Sequence, residues 1–243
     1  MFRHKGKSRT YIHNLRLASI LSFIAGLVNI AGVLSVKTLT TNVTGHFAYF
    51  AEELVIGNYA TAFAFLMFIS FFLLGAFISN LLIEIVSRKK PRFSHTLPMV
   101  IEVIILIVVG LFGFRSEALN FSGQIIACAL LMAMGIQNSL VTQVSQSTVR
   151  TTHLTGLFTD LGIELSQLFF YRKPAEILKL SRSIKLRLMI IAFFFIGCVI
   201  GGFMFKQYEL RTLLFAAASL IIALFYDHIR YRFYFYKRKL TSR

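Results

Sequence analysis

Apolar residues in this chain come in six long blocks, near Leu17–Val36, Ala60–Val86, Leu97–Phe114, Gly123–Val144, Leu186–Phe205 and Leu210–Tyr226. Short stretches rich in Lys, Arg, Thr and Gly separate them. Each block approaches or exceeds the ~20 residues that carry a helix across about 30 Å of hydrocarbon. A helix satisfies its own backbone N–H and C=O groups there, whereas barrel strands would read as short alternating segments. The pattern predicts an all-α fold, a polytopic membrane helical bundle. Composition agrees: 56% of the 243 residues are hydrophobic, Phe alone accounts for 26, and the mean hydropathy is +0.71. This is too apolar for a single soluble core with a wetted surface.

The formal charge of +16 raises the question of nucleic acid, but the basic residues flank the apolar blocks. Five Lys or Arg fall in 1–16, four in 87–95, six in 171–187 and six in 228–243, together 21 of the 26. Such blocks mark cytoplasmic loops and termini, so the charge reads as topology and no nucleic-acid partner is expected. Between two cytoplasmic blocks the chain crosses an even number of times. The 14-residue piece 44–57, ~21 Å of helix, then enters the membrane without spanning it, and 155–171 adds no crossing either. Six spans with two half-helices result, with both termini inside. A model of eight full spans competes and places the 87–95 block outside. Cys128 and Cys198 both lie inside apolar blocks, so neither a disulfide framework nor a Cys metal site is supported. No cleavable signal is expected.

Two polar interruptions match at fixed spacing. Thr41, Thr44, Gly45, Phe47, Glu53 and Leu54 correspond to Thr152, Thr155, Gly156, Phe158, Glu164 and Leu165. Upstream, Gly26 and Asn29 correspond to Gly135 and Asn138; downstream, Phe71–Gly75 resembles Phe193–Gly197. A basic linker at 172–187 accounts for the extra length of the second copy. The reading is a basic tail at 1–16, membrane repeats at 17–114 and 119–227 with half-helices 44–57 and 155–171, and a basic tail at 228–243. Each repeat has three crossings, an odd number, so the second is inverted. Inverted repeats with broken helices point to secondary transporters or related pores with a midplane site.

These residues resemble the YoaK family of bacterial inner-membrane proteins over nearly the whole chain. The resemblance rests on Gly26-Leu27-Val28-Asn29, on Val43-Thr44-Gly45-His46, and on Met134-Gly135-Ile136-Gln137-Asn138 followed by His153-Leu154-Thr155-Gly156. It departs at Asn29, where Asp is common, and at His46, where Asn is common. It implies a multi-span fold in a bacterial inner membrane and a role in transport, without a substrate.

A helix starting inside the membrane has N–H groups that hydrocarbon does not satisfy, and Thr41 or Thr44, like Thr152 or Thr155, is a cap candidate. Gly45 and Gly156 permit close approach. Two opposed half-helix N-termini favour an anion or the electron-rich end of a polar solute. The expected solute site therefore comprises Thr44, Gly45, His46, Thr155, Gly156, Asn29 and Asn138, with Asn29 and Asn138 each needing a hydrogen-bond partner inside a span. Glu53, Asp160, Glu164 and Glu102 are candidates for ion or proton coupling. His46, Tyr49 and Glu53 share one helical stripe. No enzyme motif, cofactor or metal site is expected. The expected partners are the lipid bilayer, a small polar or anionic solute and a second copy of the chain. The alternative is a non-transporting scaffold that binds a partner protein or lipid.

Overall fold

The computed structural model describes residues 11–89, 94–113, 123–146 and 149–225. The basic tail expected at 228–243 lies outside them, as does most of the tail at 1–16. Among the described residues the α-helices are, in order, α1 (Tyr11–Val36), α2 (Val43–Ile56), α3 (Tyr59–Lys89), α4 (Thr96–Phe112), α5 (Gly123–Ser145), α6 (Leu154–Gln167) and α7 (Pro174–Tyr208). A 3-10 turn (Glu209–Arg211) leads into a last helix, α8 (212–225). The described residues contain no strand.

Tyr11–Val36, Tyr59–Arg88, Gly123–Ser145 and Pro174–Phe225 are long and apolar enough to cross a bilayer, and the 17-residue α4 is a shorter apolar helix. Pro174–Phe225 contains both α7 and α8. Glu209, with φ 49 and ψ −136, interrupts the helix, and the face of α8 carrying Leu213, Ala217 and Leu220 enters the core. That core is built from α1 (Leu17, Leu21, Ile24), α4 (Met99, Leu106), α5 (Leu130, Met134, Leu140) and α8. Helix α7 adds Leu186, Ile190 and Phe194 to it and α3 adds Ile83, while both helices leave large apolar side chains such as Phe63, Phe77, Phe195 and Phe203 exposed.

Glycines fix how these helices meet. A Cβ on Gly26 would fall on the Phe194 carbonyl oxygen, and one on Gly197 on that of Phe23. At the other crossing, a Cβ on Gly135 would fall on the Phe72 carbonyl oxygen and one on Gly75 on that of Met132. Small residues let membrane helices approach to backbone contact and gain dispersion energy there. Each crossing of α1 with α7 thus has a counterpart in the crossing of α5 with α3. Gly201 lies against Leu27 and Gly197 against Phe23, so α1 and α7 run parallel. By contrast, α1 and α5 run antiparallel, because Gly123 faces Val36 while Gly32 faces Leu130.

The two short helices each turn back on the long helix that follows. Helix α2 starts at Asn42, whose Oδ1 accepts the Gly45 N–H at 3.0 Å. It ends at Gly57 (φ 84), where Gly57 N–H donates to Leu54 O and Asn58 N–H to Glu53 O. That paired closure favours glycine because the position is left-handed. The His46 ring then meets Phe68 (5.5 Å between centroids) and Phe65 (6.0 Å). The first turn of α2 therefore lies roughly 14 Å along α3 from its start, at ~1.5 Å per residue. Helix α6 returns on α7 in the same way but is shorter than expected. It ends at Gln167, with a turn over 168–170. The residues expected as a basic linker, 172–187, are mostly helical: Pro174, at the first helical position where a missing N–H costs nothing, begins α7.

Candidate functional site

The ends of α1 and α5 are built alike. Asn29 lies seven residues before Val36, and Asn138 seven before Ser145; each helix is followed by a left-handed residue that is not glycine, Lys37 and Gln146, both at φ 53. The chain then doubles back along the helix it has left. Thr38 N–H donates to Gly32 O at 3.3 Å, and Gly32 makes room for Thr38 and Thr40. One turn deeper, the Thr41 hydroxyl donates to Asn29 Oδ1 at 3.0 Å. In the second half the Thr152 hydroxyl donates to Asn138 Oδ1 at 2.7 Å. A hydroxyl donor supplies the partner that an amide oxygen inside an apolar helix needs.

These contacts correct the expected caps. Thr41 and Thr152 hold asparagines, Asn42 caps α2, and the N-cap of α6 is His153, whose side chain makes no capping bond. Thr44 and Thr155 are exposed. Gly45 leaves room for the Asn42 side chain, whereas a Cβ on Gly156 would meet nothing within 4 Å. Gly156 is therefore not required for close packing.

His46 is buried, with Nε2 2.7 Å from Leu39 O and its ring against α3. Tyr49 stacks on Phe65 at 5.3 Å, and Glu53, further along the stripe, is half-buried. The corresponding stripe of α6 is Leu157, Asp160 and Glu164. Arg187 of α7 places Nη2 3.0 Å from Glu164 Oε1 and 3.3 Å from Asp160 Oδ2. Ser183 donates to Glu164 Oε1 at 2.6 Å. Two of the acidic coupling candidates are therefore joined in one ion cluster.

Glu102 stands apart from that cluster. It is wholly buried between α4 and α5, and Oε1 accepts a hydrogen bond from Gln137 Nε2 at 3.0 Å. Glu102 Oε2, Gln137 Oε1 and Asn138 Nδ2 meet no hydrogen-bond partner, nor do the hydroxyls of the buried Thr40 and Thr151.

The structure thus brings Asn29 to Thr41, Asn138 to Thr152, Glu102 to Gln137, and Asp160 with Glu164 to Arg187. It sets His46 and Glu53 on the α2–α3 hairpin, apart from the α6–α7 cluster. Sequence reasoning passed over Arg187 and the first threonine of each pair, Thr40 and Thr151. The doubled Thr-Thr at 40–41 and 151–152 was the signal available for the latter.

An all-helical chain with bilayer-length apolar helices, apolar outer faces and buried polar pairs is a multi-pass membrane protein, with acyl chains against side chains such as Phe63 and Phe203. The chain belongs to the DUF1275 family, described as "Protein of unknown function (DUF1275)", whose model matches residues 17–226. It is similar to the UPF0700 transmembrane protein YoaK of Bacillus subtilis (strain 168), with 24% identity over 185 residues, 76% of this chain and 80% of that protein. No solved structure matches it.

Proposed function

We propose that this protein is a secondary transporter or channel-like permease for a small polar or anionic solute. In this reading α1–α4 and α5–α8 are two inverted repeats, each with three spans and one re-entrant half-helix, α2 or α6. The observation that carries it is the repeated Asn–Thr closure ahead of a short helix, on two helices, α1 and α5, that run antiparallel. A helix that starts roughly 14 Å down its neighbour directs unsatisfied N–H groups into the bilayer interior, where an anion or polar solute gains most from them. The solute site is assigned to Asn29, Asn138 and the helix starts at Thr44-Gly45-His46 and Thr155-Gly156. In this reading the protein sits in a bacterial inner membrane, and the basic blocks support termini on its cytoplasmic side.

Two measurements test this. Single cysteines replacing Lys37 and Gln146 are expected to be labelled from opposite sides of the membrane; labelling of both from outside supports eight spans and ends the inverted-repeat reading. A thermal-shift screen of purified protein with small anions and polar metabolites is expected to find a stabilising solute, because a ligand of the folded state raises its melting temperature. That shift should disappear in Asn29→Leu and Asn138→Leu. The alternative, a non-transporting scaffold that binds a partner protein or lipid, draws support from the exposure of Thr155 and the open surroundings of Gly156. Ligand-independent capture of such a partner on α6, with no solute found, decides for it.

A further inference from the structure

Four acidic side chains are candidates for coupling, and the structure separates one of them. Asp160 and Glu164 share Arg187, and Glu53 is half-buried. Among the described acidic side chains Glu102 is the one that is fully buried, and no ion pair joins it to another described residue.

The elements packed on α4 bring few charges toward it. Helix α5 carries one ionisable side chain, Cys128, and α8 carries none. The described charged side chains of α3 are Glu84 and Arg88, near its C-terminal end; those of the 3-10 turn are Glu209 and Arg211. That turn meets α4 at its far end, where Leu210 lies against Gly113. His95, at the N-cap of α4, lies about two turns before Glu102.

An ionised Glu102 would set two acceptors, its own Oε2 and Gln137 Oε1, in a buried place where neither has a donor. Buried charge and unpaired buried acceptors are both costly. One hydrogen removes both difficulties. We infer that Glu102 and Gln137 form a proton-holding acid–amide pair: Glu102 Oε2–H donates to Gln137 Oε1 while Gln137 Nε2–H donates to Glu102 Oε1. Loss of that proton turns the first contact into acceptor against acceptor, so the Gln137 amide must rotate. Its neighbour Asn138 holds Thr152, two residues before α6. The occupancy of the pair is thereby linked to the position of the second half-helix.

The inference deepens the transport reading by naming where a coupling proton resides, and it rests on that reading for its role in transport. Infrared difference spectroscopy on purified full-length protein at neutral pH tests the proton directly. Wild type minus Glu102→Gln should contain one protonated-carboxyl C=O band, about one carboxyl per chain, and Gln137→Leu should move that band toward the frequency of a free acid. A difference spectrum with carboxylate bands and no acid band overturns the inference. If Glu102→Gln does not fold, Glu102→Asp serves instead: the acid band shifts if Glu102 holds the proton and stays fixed if it does not. The band does not depend on transport. Its presence without any stabilising solute counts against the transport reading alone, and its absence beside a stabilising solute counts against the proton pair alone.

Discussion

The α2–α3 hairpin and the α6–α7 hairpin occupy corresponding places and are held by different chemistry. In the first, His46 reaches Leu39 O and packs with Tyr49 on Phe65 and Phe68. In the second, Leu157 replaces the histidine, and Asp160 and Glu164 clasp Arg187 where the first hairpin has Phe65. The framework around them is conservative by comparison: the same glycine crossings, the same asparagine–threonine bonds, the same left-handed helix ends. Backbone-to-backbone approach tolerates no side chain, so crossings are fixed by geometry. A hairpin contact between side chains accepts any pair that fills the space and satisfies its polar atoms. The framework thus sets where the two short helices start, and the hairpins set how each is held.

The largest effects are expected where backbones touch. Gly26→Ala, Gly75→Ala, Gly135→Ala and Gly197→Ala should each cost at least about 3 kcal/mol, the upper part of the range for overpacking, because a carbonyl group and its helix must move away. Gly202→Ala, whose nearest neighbour is Ile30 Cγ1 at 3.6 Å, should stay within ~0.5 kcal/mol of wild type. Melting temperatures and size-exclusion profiles in detergent check this. If the α1–α7 pair tolerates alanine and the α3–α5 pair does not, the equivalence of the two crossings is broken.

Next in size is the ion cluster. Arg187→Leu leaves Glu164, with 13% of its side chain exposed, facing Asp160 without a cation. Removing one member of a buried pair costs about 3–5 kcal/mol, and the half-exposed Asp160 places this case at about 3 or less. Replacing all three, Arg187→Leu with Asp160→Leu and Glu164→Leu, should recover most of that loss, since apolar substitutes for a whole cluster are often neutral. His46→Leu, which leaves the Leu39 carbonyl without its ring nitrogen, should cost only ~1 kcal/mol. Denaturation midpoints of the purified variants measure the contrast. A triple variant no more stable than Arg187→Leu would mean that the charges hold more than each other.

Smaller in stability are the two asparagine–threonine bonds. Thr41→Val and Thr152→Val should each cost about 0.6–1.7 kcal/mol, from the average to the maximum measured for side-chain hydrogen bonds in a helical membrane protein. Under the proposed function they should nonetheless abolish solute-induced stabilisation, because each bond fixes where a half-helix starts. Loss of that response in one variant alone would assign the solute to one half of the molecule.

Much of this framework is legible in the sequence. The apolar blocks give most of the long helices to within a few residues, except that α1 begins at Tyr11 and α7 at Pro174, before the blocks starting at Leu17 and Leu186, because basic segments can be helical outside hydrocarbon. The paired motifs give Asn29 with Asn138 and the two short helices. They do not give the caps, because Thr41, Asn42 and Thr44 are all cap-forming residues and the choice depends on how the chain doubles back over Gly32. Arg187 was hidden by its place in a basic run, where position alone reads as topology. Its role follows from α6 folding antiparallel on α7, a tertiary fact. Glu102 was visible as a carboxylate in an apolar block, but its partner, 35 positions away, was not.

The smallest effect separates the two helix starts themselves. Asn42 Oδ1 accepts the Gly45 N–H at 3.0 Å, so Asn42→Ala should cost about 1 kcal/mol, the usual loss for a cap. His153 holds the same position before α6 without a side-chain capping bond, so His153→Ala should change stability by no more than ~0.5 kcal/mol. The α6 start is then the less satisfied of the two, with N–H groups that gain more from an incoming acceptor. Hydrogen exchange at the first amides of each short helix checks this: residues 155–157 are expected to exchange faster than 44–46 without solute, and to gain more protection when a stabilising solute is added. Equal protection at both starts would remove the asymmetry and put the solute, if it binds there, evenly between the two halves.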